Sequence, residues 1–278
     1  MKKILGIIGS PRDLGNCEIM VKEISRNIDV KHELLLLRLS EFNILPCRGC
    51  YSCLFGKKRC VLTDDFYKIF NSILTSDALI VAAPTYVFSV NSSLKRFTDR
   101  FLSFFPFIEE LWGKPSIGVG IGGVKGNQGH TLLGINHFLK ALFTDKKKAL
   151  MIFGALPGEI FLNEENKRVA AELASAIFRP TPAQEQPCCP LCGENVFQFL
   201  GNEKVQCMLC SNMGTMSVEL GQPVFKIDKC NLSLLLSKEE ALNTRELLKK
   251  MKNDFIEKKT ALNEISSGYL NEGTWIRP

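Results

Sequence analysis

Four cysteines lie close together in this chain and form a C-x2-C-x2-C-x6-C run, Cys47, Cys50, Cys53 and Cys60. Thiols so closely spaced can converge on one centre only if the backbone loops around it. Iron–sulfur clusters are held by four Cys thiolates, and compact runs with a more distant fourth cysteine are typical of them. Structural zinc more often pairs two separated C-x2-C units, and ordinary free thiols are the third interpretation. The spacing favours a cluster.

A second cysteine set does have two separated C-x2-C units. It consists of Cys189, Cys192, Cys207 and Cys210. This spacing predicts a small zinc ribbon, in which the metal stabilises a segment too small to fold alone. Iron bound as in rubredoxin is the alternative and would add a second electron carrier. Cys188 is a spare thiol or a substitute ligand, and Cys230 is expected to be buried.

Composition indicates a globular protein of the cytoplasm. The chain has 278 residues, 45% of them hydrophobic and 23% charged, with a formal net charge of +6. This charge is modest and diffuse, so no nucleic-acid partner is expected. Eight of the eleven cysteines fall in metal spacings and no signal peptide is expected, which favours a reducing compartment. No apolar stretch approaches the roughly 20 residues that a membrane span needs.

The elements that position these cysteines follow an alternating pattern. Strands are predicted at 3–8, 33–39, 78–83, 115–121 and 149–155, and helices at 17–28, 64–74, 92–105, 131–143 and 163–178. The cysteine run follows the second strand. Strands alternating with helices indicate an α/β fold, a flavodoxin-like doubly wound five-stranded parallel sheet.

A change of composition divides the chain. Residues 1–178 form the predicted flavodoxin-like domain, and the proline-rich stretch 179–187 is a linker. Residues 188–229 form the ribbon-like or rubredoxin-like unit, with strands at 196–200 and 224–227. Residues 230–278 form a helical tail that begins at a capping box, Ser237 to Glu240.

The loop after the first strand predicts a phosphate site. It carries Ser10, Arg12 and Asn16 just before the first helix. Backbone N–H groups at a helix N-terminus, the helix dipole and an arginine all favour an anion there. The loop has neither a G-x-G-x-x-G fingerprint nor a P-loop ending. A simple Gly/Pro turn is the alternative.

Together these motifs resemble the iron-sulfur flavoprotein family, part of the NAD(P)H-dependent FMN reductase group. The resemblance covers residues 1–178 and rests on the loop at 9–16, the four-cysteine run, Asp64-Asp65-Phe66 and the segment 84–100. It implies an FMN and a [4Fe-4S] cluster on the run. It also implies a homodimer or dimer of dimers, in which the cluster of one subunit lies near the flavin of another.

The resemblance also implies which residues bind FMN. They are Ser10, Arg12, Gly15, Asn16, Cys17, Pro84, Thr85, Tyr86, Val87, Phe88, Ser89, Gly122, Gly123, Gly126 and Asn127. Ser10, Arg12 and Asn16 would hold the phosphate, with Cys17 where the family usually has Ser or Thr. Tyr86 or Phe88 would contact the flavin ring or a dimer partner, and core packing is the alternative. The third loop, from Gly122, matches the family only in part.

Pairing a one-electron cluster with a flavin that transfers one or two electrons predicts an electron-transfer oxidoreductase. It would connect ferredoxin or NAD(P)H with an unknown acceptor and needs no acid–base residue; the sequence identifies none. One alternative is an NAD(P)H-dependent FMN reductase of a small molecule. Another is a redox sensor or scaffold that binds a partner through the ribbon. Basic residues near the run, Arg48, Lys57, Lys58 and Arg59, suit an acidic carrier or form a solvated loop.

Overall fold

A parallel sheet of five strands forms the centre of the first domain. The computed structural model describes residues 1–55, 59–180, 187–230, 236–270 and 272–276. The strands of this domain are β1 (Lys2–Ile8), β2 (His32–Arg38), β3 (Ala78–Tyr86), β4 (Ser89–Val90), β5 (Pro115–Gly122) and β6 (Asp145–Phe153). The parallel order is β2-β1-β3-β5-β6, and β4 pairs antiparallel with β3. This order confirms the flavodoxin-like prediction.

Helices cover both faces of the sheet, which explains why its central strands are nearly continuous apolar runs. They are α1 (Asn16–Arg26), α2 (Phe66–Thr75), α3 (Ser92–Thr98), α4 (Ile108–Leu111), α5 (Thr131–Ala141) and α6 (Glu164–Ala176). One face packs on α1 and α6, and the other packs on α2, α3 and α5. The connections at the carboxyl ends of the strands therefore meet at one edge of the sheet, where ligands bind in such folds.

Among the predicted elements of the first domain, two show the largest differences from the structure. The helix predicted at 92–105 ends at Thr98 and continues as short 3-10 turns, in which Phe101, Phe104 and Phe105 turn into an aromatic cluster. Strand β6 begins at Asp145 rather than at 149, because it pairs with β5 from Pro115 onwards.

The ribbon is a four-stranded antiparallel sheet with the order β10-β9-β8-β7. Its strands are β7 (Phe197–Gly201), β8 (Lys204–Cys207), β9 (Met213–Glu219) and β10 (Gln222–Ile227). The sequence predicted the first and last of these and missed β8 and β9. Leu133 of α5 packs into the apolar cluster of the ribbon, and Asn136 Nδ2 donates to Glu194 Oε2 at 2.8 Å. The ribbon therefore docks on α5.

Two helices follow the ribbon, α7 (Lys238–Glu257) and α8 (Lys259–Ser267). The capping box is confirmed, because Ser237 Oγ accepts a hydrogen bond from Glu240 N at 3.2 Å. Ala241 of α7 is buried in the core of the first domain. Within the described part of the chain, no helix has the length and apolarity to cross a membrane. Most of the predicted linker, residues 181–186, lies outside the described residues.

Candidate functional site

The loop between β1 and α1 borders a pocket of about 240 Å³ at the carboxyl edge of the sheet. The pocket is lined by Ser10, Arg12, Asn16, Cys17, Pro84, Tyr86, Ile121, Gly123, Gly154 and Ala155. Three predicted FMN loops therefore meet in one cavity. Helix α1 has no side-chain N-cap, so its first N–H groups are left for an anion. With Ser10 and Arg12 beside them, these groups fit the phosphate of FMN.

The side chain of Asn16 braces this loop against a segment that sequence reasoning missed. Asn16 Nδ2 donates to Gly154 O at 2.9 Å, and Asn16 Oδ1 accepts from Gly158 N at 2.9 Å. Arg12 Nη1 also donates to Ala155 O, at 3.4 Å. The sequence could have indicated this segment, because 154–158 directly follow a strand and therefore lie at the carboxyl edge of the sheet. A direct contact between Asn16 and phosphate stays a prediction.

Arg38, at the end of β2, supports the same loop from the other side. Its guanidinium donates to the carbonyl oxygens of Ser10 and Arg12, and Nη2 lies 2.8 Å from Glu18 Oε2. The Arg38 side chain is only 11% exposed. Its bonds to two carbonyls of the loop hold the backbone in place, a role that the sequence did not indicate.

Cys17 is 2% exposed, and burial raises the pKa of its thiol to about 12 although hydrogen bonding to the Ser10 backbone and nearby Arg38 and Arg12 oppose the rise. The thiol is therefore neutral near pH 7. A neutral group at this position adds no negative charge beside the predicted phosphate.

A two-residue hairpin between β3 and β4 directly follows Tyr86, which lines the pocket. Both of its loop residues have positive φ, 47° at Val87 and 64° at Phe88. Hairpins of this kind usually carry Asn-Gly, and a β-branched residue there is an outlier of the sort that collects at functional sites. Tyr86 and Phe88 are 46% and 56% exposed. The core-packing alternative for these aromatic residues is therefore wrong.

The third predicted loop is tied to this hairpin. His130 N donates to Phe88 O at 2.8 Å, and the hydroxyls of Thr131 and Thr85 are 2.9 Å apart. A Cβ at Gly129, where φ is +49°, would lie 2.2 Å from Phe88 O. Only glycine permits this close approach.

The predicted FMN residues thus divide into two groups. Those that line the pocket are Ser10, Arg12, Asn16, Cys17, Pro84, Tyr86 and Gly123. Those that are not among its lining residues are Gly15, Thr85, Val87, Phe88, Ser89, Gly122, Gly126 and Asn127.

The cysteine run forms a loop beside the carboxyl edge. Gly49 and Tyr51 have φ of 60° and 62°, which turns the backbone around the run. Cys50 and Cys60 open into one cavity of about 560 Å³. Burial raises the pKa of the Cys53 thiol, and the charges of Cys60 and Cys50 act in the same direction.

The remaining thiol of the run, Cys47, is exposed and accepts a hydrogen bond from Gly49 N at 3.4 Å. Its place in a ligand set stays a prediction. Among the described residues, the thiols of the ribbon are gathered closely enough for one metal ion, and those of this loop are not. Lys57 and Lys58 lie outside the described residues.

Residues from two helices distant in sequence, α2 and α7, also adjoin the cysteine loop. Tyr67 of α2 accepts a hydrogen bond from Cys60 N at 2.7 Å, and the Arg59 guanidinium lies 4.4 Å from the Tyr67 ring centroid. Lys252 and Ile256 of α7 line the cavity. Hydrogen bonds from Ser52 chiefly lower the pKa of Cys50, and Lys252 adds to that effect.

The second cysteine set is gathered around one point. The sulfurs of Cys189, Cys192, Cys207 and Cys210 all lie within 4.8 Å of one another. The Cys189–Cys210 and Cys192–Cys207 sulfur pairs are 3.8 and 3.5 Å apart. Tetrahedral Zn–S bonds of about 2.3 Å imply edges of about 3.8 Å, so these thiols fit one metal ion.

Cys230, expected to be buried, is exposed instead. Its N–H donates to Asn212 Oδ1 at 2.8 Å, which leaves its side chain at the surface beyond β10.

A flavodoxin-like sheet with a phosphate loop at its carboxyl edge and a strained hairpin at the end of the central strand β3 is the architecture of a class of flavin-binding proteins. The sequence profile of the NADPH-dependent FMN reductase family matches residues 2–144, about half of the chain. The chain belongs to this family, in its iron-sulfur flavoprotein group, and is an FMN-dependent oxidoreductase.

Individual relatives agree with this assignment. An iron-sulfur flavoprotein of Archaeoglobus fulgidus is 31% identical over 194 residues, which is 66% of this chain and 85% of that protein. A second one from the same organism is 32% identical over 101 residues, 35% of this chain and about half, 48%, of the relative. The fold of a flavone reductase matches 99% of both chains with a TM-score of 0.74 at 17% identity.

Proposed function

We propose that this protein relays electrons between a ferredoxin or NAD(P)H and an acceptor, with FMN in the pocket at the phosphate loop and a [4Fe-4S] cluster on Cys47, Cys50, Cys53 and Cys60. The observation that carries the proposal is a third pocket, of about 290 Å³. In it Phe42 and Ile44, the stem of the cysteine loop, share walls with Pro11 and Tyr86. Tyr86 lines the FMN pocket as well, so the two candidate redox sites adjoin.

The residues of the chain would bind, orient and shield these groups. When bound, FMN transfers one or two electrons and a cluster transfers one. Ser10, Arg12 and the N–H groups of α1 hold an anion, and the hairpin at Val87 and Phe88 shields one side of the pocket. The exposure of these two apolar residues supports self-association, as a homodimer or dimer of dimers. Arg59 and Lys252 provide positive charge for an acidic carrier.

A second candidate is an NAD(P)H-dependent reductase of a small molecule. The pocket between Phe42 and Tyr86 favours it, because these two aromatic residues there meet Arg96, a guanidinium with no acidic partner in the described chain. The flavone reductase that shares the fold acts, by its name, on a planar aromatic compound.

Anaerobic purification followed by absorption spectroscopy and iron, zinc and flavin analysis tests both candidates. The wild type, Cys53→Ser and the surface control Cys230→Ser are each mixed with reduced ferredoxin, NADH and NADPH. The relay predicts flavin and cluster absorption in wild type, and loss of flavin reduction by ferredoxin in Cys53→Ser alone. If NADH or NADPH reduces the flavin of Cys53→Ser as well as that of the wild type, the second candidate is supported. A colourless, iron-free wild-type protein contradicts the relay.

A further inference from the structure

The pocket of about 290 Å³ has the composition of a binding site for a small molecule. Its walls come from parts of the chain that are far apart in sequence. Phe42 belongs to the stem of the cysteine loop, Tyr86 ends β3, and Arg96 lies on α3. Because Tyr86 also lines the FMN pocket, a molecule bound between these residues would lie next to the predicted flavin site.

The charge of this pocket selects the kind of ligand. Arg96 is the only one of its described lining residues that carries a formal charge at neutral pH. The nearest carboxylate along the chain, Asp99, pairs with Lys95 instead. A guanidinium presents several N–H donors in one plane, a geometry that fits the two oxygens of a carboxylate. A pocket with one guanidinium and no acidic wall therefore favours an organic anion.

The aromatic walls and the size of the pocket narrow the choice further. Phe42 packs against the core of the first domain, and Tyr86 is 46% exposed. Aromatic rings attract other rings through stacked or edge-on contacts, so a ligand with a ring gains from both residues. A volume of about 290 Å³ is at the lower end of ordinary ligand pockets. The ligand is therefore small, with one or two rings.

Hydrogen bonds fix one wall of the pocket. Asn91, which is 6% exposed, lines the pocket directly before α3. Its Nδ2 donates to Gly9 O at 2.6 Å and to Ser93 Oγ at 2.7 Å. Ser93 Oγ in turn donates to Gly9 O at 3.2 Å. The start of α3 is thus tied to the phosphate loop, and a preformed wall lowers the entropic cost of binding.

We propose that this pocket binds a small aromatic carboxylate, whose carboxylate pairs with Arg96 and whose ring packs on Phe42 and Tyr86. The proposal rests on the proposed reductase function, for which it names the class of small molecule. Arg96 distinguishes such a compound from a neutral one of the same shape, because the neutral compound leaves the guanidinium without a partner. Arg96 is therefore a specificity-determining residue.

Calorimetric titration of the full-length protein in excess FMN tests the proposal. The probes are naphthoate and naphthalenemethanol, which share the ring system and differ in charge. We expect the wild type to bind naphthoate at least about tenfold more tightly, because hydrogen bonds to charged groups contribute about 1.5 to 3 kcal/mol. Arg96→Met should lose this preference. Arg168→Met is the matched control, because Arg168 is an exposed arginine on α6, outside the pocket.

Equal affinity of the wild type for the two probes, or an unchanged preference in Arg96→Met, would overturn the proposal. So would displacement of naphthoate by NADP⁺ and not by NAD⁺, because Arg96 would then hold the extra phosphate of NADP⁺. Flavin absorption of the same samples separates this result from the proposed function. A wild-type chain without flavin contradicts the proposed function, whereas the titration still measures the pocket, which consists of side chains alone.

Discussion

Arg100 Nη1 lies 2.6 Å from Asp64 Oδ2, and the two side chains are 1% and 0% exposed. The same carboxylate accepts from Leu45 N at 2.9 Å and from Phe66 N at 3.2 Å. The Arg100 guanidinium lies 4.5 Å from the Phe66 ring centroid. This pair therefore joins α2 to the stem of the cysteine loop. In the sequence, Asp64 stood out as part of the Asp64-Asp65-Phe66 segment of the family resemblance.

Removing the arginine should be costly because it leaves a buried carboxylate unpaired. We expect Arg100→Met to lower the free energy of unfolding by about 3 to 5 kcal/mol. The control Lys95→Met breaks the exposed pair with Asp99 and should cost less than about 1 kcal/mol. Urea unfolding monitored by circular dichroism measures both. Equal losses in the two variants would contradict the assignment of Arg100 as a structural residue.

The lowered pKa of Glu18 predicts that the stability of the protein depends on pH. Burial acts to raise the pKa of Glu18, but hydrogen bonds from Lys22, Arg38 and the Leu14 N–H outweigh it and lower the pKa from 4.5 to about 2. The stabilisation is therefore complete above about pH 4.5 and is lost as the pH falls towards 2. We expect Glu18→Gln to flatten the dependence of unfolding free energy on pH in this window. Glu23→Gln, on the exposed side of α1, should leave the wild-type slope, and an equal flattening there would refute the prediction.

Gly129 should be intolerant of a side chain. In Gly129→Ala the new Cβ meets Phe88 O, so the hairpin and the third loop must separate. We expect FMN to bind at least about tenfold more weakly, which corresponds to 1.4 kcal/mol. Gly113→Ala is the matched control, because it has φ of +79° and open space around its Cβ. Flavin fluorescence titration gives both dissociation constants, and an unaltered affinity in Gly129→Ala would count against the contact.

The two cysteine sets should lose their metals independently. Cys207→Ser should lose one zinc per chain and lower the melting temperature, because the metal holds a ribbon that packs on α5. Cys53→Ser should lose iron and keep the zinc. Metal analysis and thermal unfolding of both variants measure this. Iron in the ribbon, with the absorption of a four-thiolate iron centre, would replace the zinc prediction by rubredoxin-like iron.

Reduction by an acidic carrier should depend on the basic residues around the cysteine loop. We expect charge reversal at Lys57, Lys58 and Arg59 to slow reduction by ferredoxin and to weaken its salt dependence, because positive charge steers association. Lys252→Glu, on the α7 wall of the same cavity, should act in the same direction. Lys167→Glu on α6 is the control. Stopped-flow kinetics at low and high salt measure the rates. If the variants around the cysteine loop react at the same rate as the control, the docking role is contradicted.

The local sequence determined the strands and helices and the kind of chemistry that the two cysteine sets can support. Apolar runs such as 78–83 dictate buried parallel strands, and alternation with helices leaves few topologies. The spacing of the cysteines was enough to distinguish the ribbon set from the cysteine run, because ligands close in sequence need only a short loop to converge. Ser237 and Glu240 formed the predicted capping box for the same reason: their hydrogen bonds span three residues.

Tertiary structure decided which side chains from distant elements reach these sites. Arg38 braces the phosphate loop, and Tyr67 and Lys252 adjoin the cysteine loop, although none of them belongs to a recognisable motif. Asn16 bonds to 154–158 because the loop after β6 reaches the same sheet edge. Such contacts depend on how whole helices and strands pack against each other. The spacing of residues along the chain does not predict this packing.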